Sequence, residues 1–151
     1  MLKRTYEGQT CSIARALELV GERWTLLIIR DAFLGLRRFD QFQDSLGVAR
    51  NVLTNRLNRL VEEGILERTA YSERPPRFEY RLTEKGRDLG VALLALMQWG
   101  DRHLSEKPPR IARRRSDRGR ITAALVARDD SVVRPAEVEI VAGPGLASAN
   151  R

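Results

Sequence analysis

Residues 39–63, FDQFQDSLGVARNVLTNRLNRLVEE, constrain this chain more than any other stretch. Phe39, Phe42 and Leu46 fall at i, i+3 and i+7, so they share one face of a 3.6-residue period. Gly47 follows at once and tolerates the left-handed backbone that ends a helix. Leu53, Leu57, Leu60 and Val61 then build a second apolar stripe, which Gly64 closes. The pattern predicts a short helix, a tight turn and a longer helix over 49–63. The outer face of that longer helix carries Asn51, Asn55, Asn58 and Arg59, with Thr54 beside them, where a merely solvated face would favour Glu and Lys. Carboxamides and guanidinia pair bidentately with base edges, so Asn51, Thr54, Asn55 and Arg59 are the candidates for reading bases. Two helices arranged in this way form a helix-turn-helix.

The flanks extend the pattern. Ile13, Ala16, Leu17 and Val20 fit one helix face closed by Gly21, and residues 24–34 form a nearly all-apolar helix of the kind that lies at a core. Arg30 and Asp31 are its only charges, placed at the surface or paired. After Gly64 the period changes. Residues 65–71 read as a strand, and Phe78, Tyr80 and Leu82 alternate with Arg77, Glu79 and Arg81 in a second, half-buried one. The link 72–76, with Pro75-Pro76, is expected to interrupt the ladder because proline lacks an amide hydrogen. The result is a hairpin wing with Arg74 and Arg77 at its tip. Thr83 caps a helix expected to run on to about Leu104. Its apolar face, Leu89, Leu93, Leu96 and Met97 widened by Val91, Leu94 and Trp99, exceeds what a small core needs. Such a face packs on a partner, which points to a symmetric homodimer with Ile13, Leu17, Leu93, Leu96, Met97 and Trp99 at its interface.

Composition supports a packed core, with 42% hydrophobic residues. No apolar run approaches the ~20 residues of a membrane span, and the N-terminus lacks a signal-peptide core, so a cytoplasmic, nucleoid-associated protein is expected. Net charge is +7, but residues 1–106 hold 17 basic and 15 acidic side chains whereas 107–151 hold 10 and 5. A polyanion-binding role for the N-terminal part therefore rests on which residues face outward, not on gross charge. Residues 1–10 read as an arm and 107–120 as a mobile basic linker. Residues 121–151 read as a small β-ribbon, with strands at 121–127 and 137–141, that frays after Gly143-Pro144-Gly145. One cysteine, one histidine and no catalytic or phosphate-loop spacing argue against an enzyme, a metal site or a cofactor.

The order of elements coincides with specific residues. Cys11-Ser-Ile-Ala-Arg-Ala-Leu, Gly21-Glu-Arg-Trp24-Thr-Leu-Leu-Ile, Arg38-Phe39-Asp-Gln-Phe42, Leu53-Thr54-Asn-Arg56-Leu57, Glu63-Gly64-Ile-Leu and Pro75-Pro76-Arg77-Phe-Glu79-Tyr80-Arg-Leu82-Thr83-Glu-Lys-Gly86 together resemble the HxlR-type regulators, winged-helix relatives of the MarR group. The resemblance spans about residues 11–104. It implies a mainly α (α+β) winged helix-turn-helix domain over 11–106 with a long C-terminal dimerisation helix. It also implies a homodimeric bacterial transcriptional regulator, acting as a repressor on a palindromic operator in double-stranded DNA and open to a small-molecule effector.

Carried over by position, 49–63 is the recognition helix and 72–77 the wing, and Arg37, Arg38, Arg50, Arg56, Arg74 and Arg77 are expected at phosphates. Some relatives carry a cysteine at the position of Cys11 that senses oxidants. The alternative is a small buried residue packing against the last helix. Where the family often has a capping Ser before the recognition helix, this chain has Ala49, so Arg50 or a phosphate is expected to cover that end. A winged-helix module that binds protein without specific DNA binding is the rival to the DNA-binding reading.

Overall fold

Placing the apolar stripes together gives the core. In the computed structural model, which describes residues 8 and 10–147, Phe42, Leu53, Leu57 and Leu60 are fully buried with Ile28 and Ile29. The helices are α1 (Ser12–Val20), α2 (Thr25–Phe33), α3 (Phe39–Leu46) and α4 (Arg50–Glu62). They are followed by strands β1 (Leu66–Glu73) and β2 (Pro76–Leu82). Gly47 turns α3 into α4 with φ 65° and ψ 22°, the left-handed geometry its sequence position requires. Gln41 closes the start of α3 by accepting the backbone amides of Arg37 (2.9 Å) and Arg38 (3.0 Å) on its Oε1. Asp31 of α2 is buried, not at the surface. One of its oxygens binds Arg30 at 2.8 Å, and the other has no partner among the described residues.

The wing is longer and tighter than the prolines suggested. Its ladder runs from Leu66↔Leu82 to Glu73↔Pro76, leaving only Arg74 and Pro75 in the turn, joined by a cis peptide bond. Pro76 fits because it opens its strand, where the missing amide removes a single donor at the tip. A bulge at Tyr71 shifts the register between Ala70 and Ser72. The residues before α3 pair with β2 as well. Tyr80 donates its backbone N–H to Arg37 O at 2.7 Å, and Arg38 bridges Glu79. The wing is thereby fastened to the helix-turn-helix along its inner strand.

Thr83 caps the next helix, as its position predicted, but that helix is interrupted. One turn, α5 (Glu84–Arg87), precedes α6 (Gly90–Leu104), with a break at Asp88 and Leu89. The Thr83 hydroxyl accepts Gly86 N at 3.1 Å and donates to Gly64 O, and Thr83 N donates to Ile65 O at 3.1 Å. This knot ties the start of α5 to the end of α4 and the root of the wing.

The chain divides into two compact units after Leu93, inside α6. In the second unit Gln98 of α6 acts as a substitute strand, donating to Ile121 O at 2.9 Å and accepting Ala123 N at 2.8 Å. The basic stretch expected as a mobile linker contains a tight loop. Arg113 bridges Arg120, Arg114 N donates to Gly119 O at 2.8 Å, and Asp117 accepts Gly119 N at 2.9 Å. The ribbon pairs β3 (Leu125–Val126), inside the expected first strand, with β4 (Val132–Val133), which lies before the expected second one. Residues 137–141 are not a strand, because Pro135 starts a 3₁₀ turn in which Glu137 folds back to accept Arg134 N at 2.9 Å. Ser131 bonds Asp129 across the ribbon's turn and holds that carboxyl below its ordinary range. After Gly143 comes a single helical turn, α7 (Pro144–Ala147). The N-terminal arm at 1–10, Gly8 and Thr10 apart, and the last four residues lie outside the described residues.

Candidate nucleic-acid interface

Helix α4 buries Leu53, Leu57 and Leu60, so its opposite face must point to solvent, and Asn51, Thr54, Asn55, Asn58 and Arg59 are all exposed. Arg50, Asn51, Thr54 and Asn55 line one shallow concavity on the first two turns. The carboxamides of Asn51, Asn55 and Asn58 have no hydrogen-bond partner among the described residues, so both their donors and acceptors face outward unspent. Thr54 differs. Its hydroxyl donates to Arg50 O at 2.8 Å within the helix, which leaves its methyl and oxygen lone pairs outermost. Arg59 lies about one turn beyond Asn55 and pairs with Glu63 at 3.2 Å, so its charge is partly neutralised within α4.

The arginines expected at phosphates divide into two groups. Arg37 donates to Ala32 O (3.0 Å), near the end of α2, and to Leu36 O (3.1 Å) in the loop that follows. Arg56 binds Glu22 at 2.8 Å and donates to Arg23 O at 3.2 Å. Both guanidinia are thus engaged within the protein. Arg56 clamps the turn that holds Trp24 in the left-handed region, with φ 80°, a conformation a bulky residue keeps only when its surroundings enforce it. Arg56→Ala is expected to lower stability by about 1–2 kcal/mol in urea unfolding. Reduced DNA affinity at unchanged stability would instead return Arg56 to the phosphate set.

The second group faces outward. Arg74 and Arg77 at the wing tip are exposed and have no partner among the described residues. Arg38 lies 4.6 Å over Tyr71 and 3.9 Å from Glu79. Arg50 does not cap α4. Its guanidinium stacks on Phe39 at 4.6 Å, and Ala49 makes no side-chain cap, so the first amides of α4 remain open. Phe39, Arg50, Tyr71, Pro75 and Arg77 line a cleft between the start of α4 and the wing. The sequence did not single out Arg68, which stacks on Phe78 at 4.3 Å; its strand register, which pairs it with Tyr80, carried that signal.

The remaining candidates lie apart from this surface. Cys11 is exposed at the N-cap of α1. Ile13 is 68% exposed and Leu17 37%. On α6, Leu96 and Trp99 are about half exposed, Leu93 packs on the core, and Met97 lines a cavity of the second unit.

Against known proteins, an HTH-type transcriptional regulator of Mycobacterium tuberculosis, itself uncharacterised, is 57% identical over 103 residues. That alignment takes in 68% of this chain and 64% of the relative, so the chain matches just under two thirds of the relative's length. The crystal structure of PA1607, designated a candidate transcription factor, is 36% identical with a TM-score of 0.76, covering 89% of this chain and 96% of that one. PA1374 from Pseudomonas aeruginosa, with the same designation, is 45% identical with a TM-score of 0.64, covering 89% and 93%. Coverage of that extent takes in much of the C-terminal extension as well as the winged helix. The HxlR-like helix-turn-helix description matches residues 19–108, well over half of the sequence. With its helix-turn-helix, fastened wing and following helix, the chain belongs to the HxlR-like helix-turn-helix family, a family of regulators and not of enzymes.

Proposed function

We propose that the protein is a sequence-specific DNA-binding transcriptional regulator, acting as a homodimeric repressor on a palindromic operator. The observation that carries this is the unspent carboxamide face of α4 beside two unpartnered wing guanidinia, Arg74 and Arg77. Asn51 and Asn55 read base edges in the major groove, with Thr54 against a base and Arg59 as a weaker contributor because Glu63 competes for it. Arg38, Arg50, Arg74 and Arg77 contact phosphates, and the uncapped start of α4 accepts a further one. Two copies place their recognition helices in successive major grooves about one helical turn apart. The exposed apolar residues Ile13, Leu17, Leu96 and Trp99 support self-association. Among the described residues no helix is long and apolar enough to cross a membrane, in keeping with a cytoplasmic, nucleoid-associated role.

Binding to the DNA upstream of its own gene, followed by anisotropy over a salt series, tests this reading. Four phosphate arginines per copy predict a slope of log K against log salt of about −7 for the dimer. No binding at low salt would favour a protein-interaction module. Control by oxidation rests on the exposed thiol of Cys11 and has its own test. Diamide should abolish operator binding by the wild type and spare Cys11→Ser; an equal response of both removes the thiol from the mechanism.

A further inference from the structure

The second unit contains a cavity of about 340 Å³ that the DNA-binding surface does not use. Its floor is α6, and its walls are the strand-like segments around Ile111 and Ile121, held at a fixed spacing. Ile121 N donates to Ala112 O at 3.0 Å, and Gln98 ties Ile121 O to α6 at 2.9 Å. Arg102, Arg110 and Arg120 line this space, and none of the three side chains has a partner among the described residues. Asp101 is the only acidic group in the lining, so the cavity carries two positive charges in excess. Met97, Ile111 and Ile121 supply apolar wall on the same cavity.

Guanidinia held around a concave space repel cations and bind carboxylates, sulfonates or phosphates through paired N–H donors. Apolar surface beside them favours a ligand with a hydrocarbon body, and the volume is that of a small-molecule pocket, not of a duplex. We infer that this cavity is a binding site for a small organic anion with an apolar body, its head group held by Arg110 and Arg120 together with Arg102. This site stands on the second unit alone and does not depend on the DNA-binding proposal.

Calorimetric titration of the full chain with naphthalene-2-carboxylate tests it directly. The anion should bind once per chain, and its neutral carboxamide roughly tenfold or more weakly. Arg110→Gln and Arg120→Gln should each weaken the carboxylate by a similar factor, and Arg120→Glu should abolish binding. These side chains are exposed, so circular dichroism should match wild type. Absence of carboxylate binding at millimolar concentration, or equal binding of the carboxamide, would overturn the site. Equal binding by the Arg120→Glu protein would place the ligand elsewhere. Inorganic phosphate binding as tightly as the naphthoate would overturn the organic-anion assignment, since the apolar walls would then contribute nothing.

Discussion

Gly86→Ala is expected to lower the unfolding free energy by about 3 kcal/mol. A Cβ built on Gly86 would stand 2.2 Å from Ile65 O and 3.0 Å from a methyl of Leu82. The obstacle is a backbone carbonyl between α4 and β1, which cannot swing aside as a side-chain end can. Relief requires α5 to retreat from the wing root. That movement breaks the Gly86 N–H to Thr83 cap and the Thr83 N–H to Ile65 O bond, so overpacking and lost hydrogen bonds add together. Urea unfolding followed by tryptophan fluorescence measures the loss. Gly100→Ala is the control: nothing lies within 4 Å of a Cβ there, and alanine in a helix interior should be neutral or stabilising by up to about 1 kcal/mol. A Gly86→Ala midpoint equal to that of Gly100→Ala would mean the wing root accommodates the methyl group.

Gly86 also shows where sequence reading stops. Its closeness to Ile65 joins residues that no local period connects. The helix-turn-helix was legible because Phe42, Leu53, Leu57 and Leu60 repeat at helical spacing and Gly47 punctuates them; local rules and burial agree there. The wing was legible as a hairpin but not in length, since Pro76 was given the weight of a break when its strand-opening position tolerates it. In the extension, residues 137–141 are β-prone, yet the 3₁₀ turn that Pro135 starts after Arg134 decided the outcome. The arginines were least legible. Arg56 and Arg77 are chemically identical, but one meets Glu22 and the Arg23 carbonyl, 33 residues away in sequence, and the other meets solvent. Only the fold sorts guanidinia that hold the protein together from those free to hold something else.

That sorting makes the DNA-binding surface separable by mutation. Asn55→Ala is expected to reduce discrimination between operator and random duplex by about 1–3 kcal/mol, a factor of roughly 5 to 150. Its carboxamide sits on the second turn of α4 with every donor and acceptor unpartnered among the described residues, so removing it costs no intramolecular bond. Stability should therefore stay within about 0.5 kcal/mol of wild type. Arg77→Ala should behave differently, weakening operator and random DNA alike and reducing the salt slope by about two units, one for each copy in a dimer. The pair is informative because both residues are exposed and neither touches the core. A difference in outcome must then come from what each meets on the DNA. Competition titrations at two salt concentrations measure both quantities together. Equal losses on operator and random DNA for Asn55→Ala would remove base reading from α4's second turn. A sequence-dependent loss for Arg77→Ala would move the specificity into the wing, where a guanidinium in a minor groove senses its width.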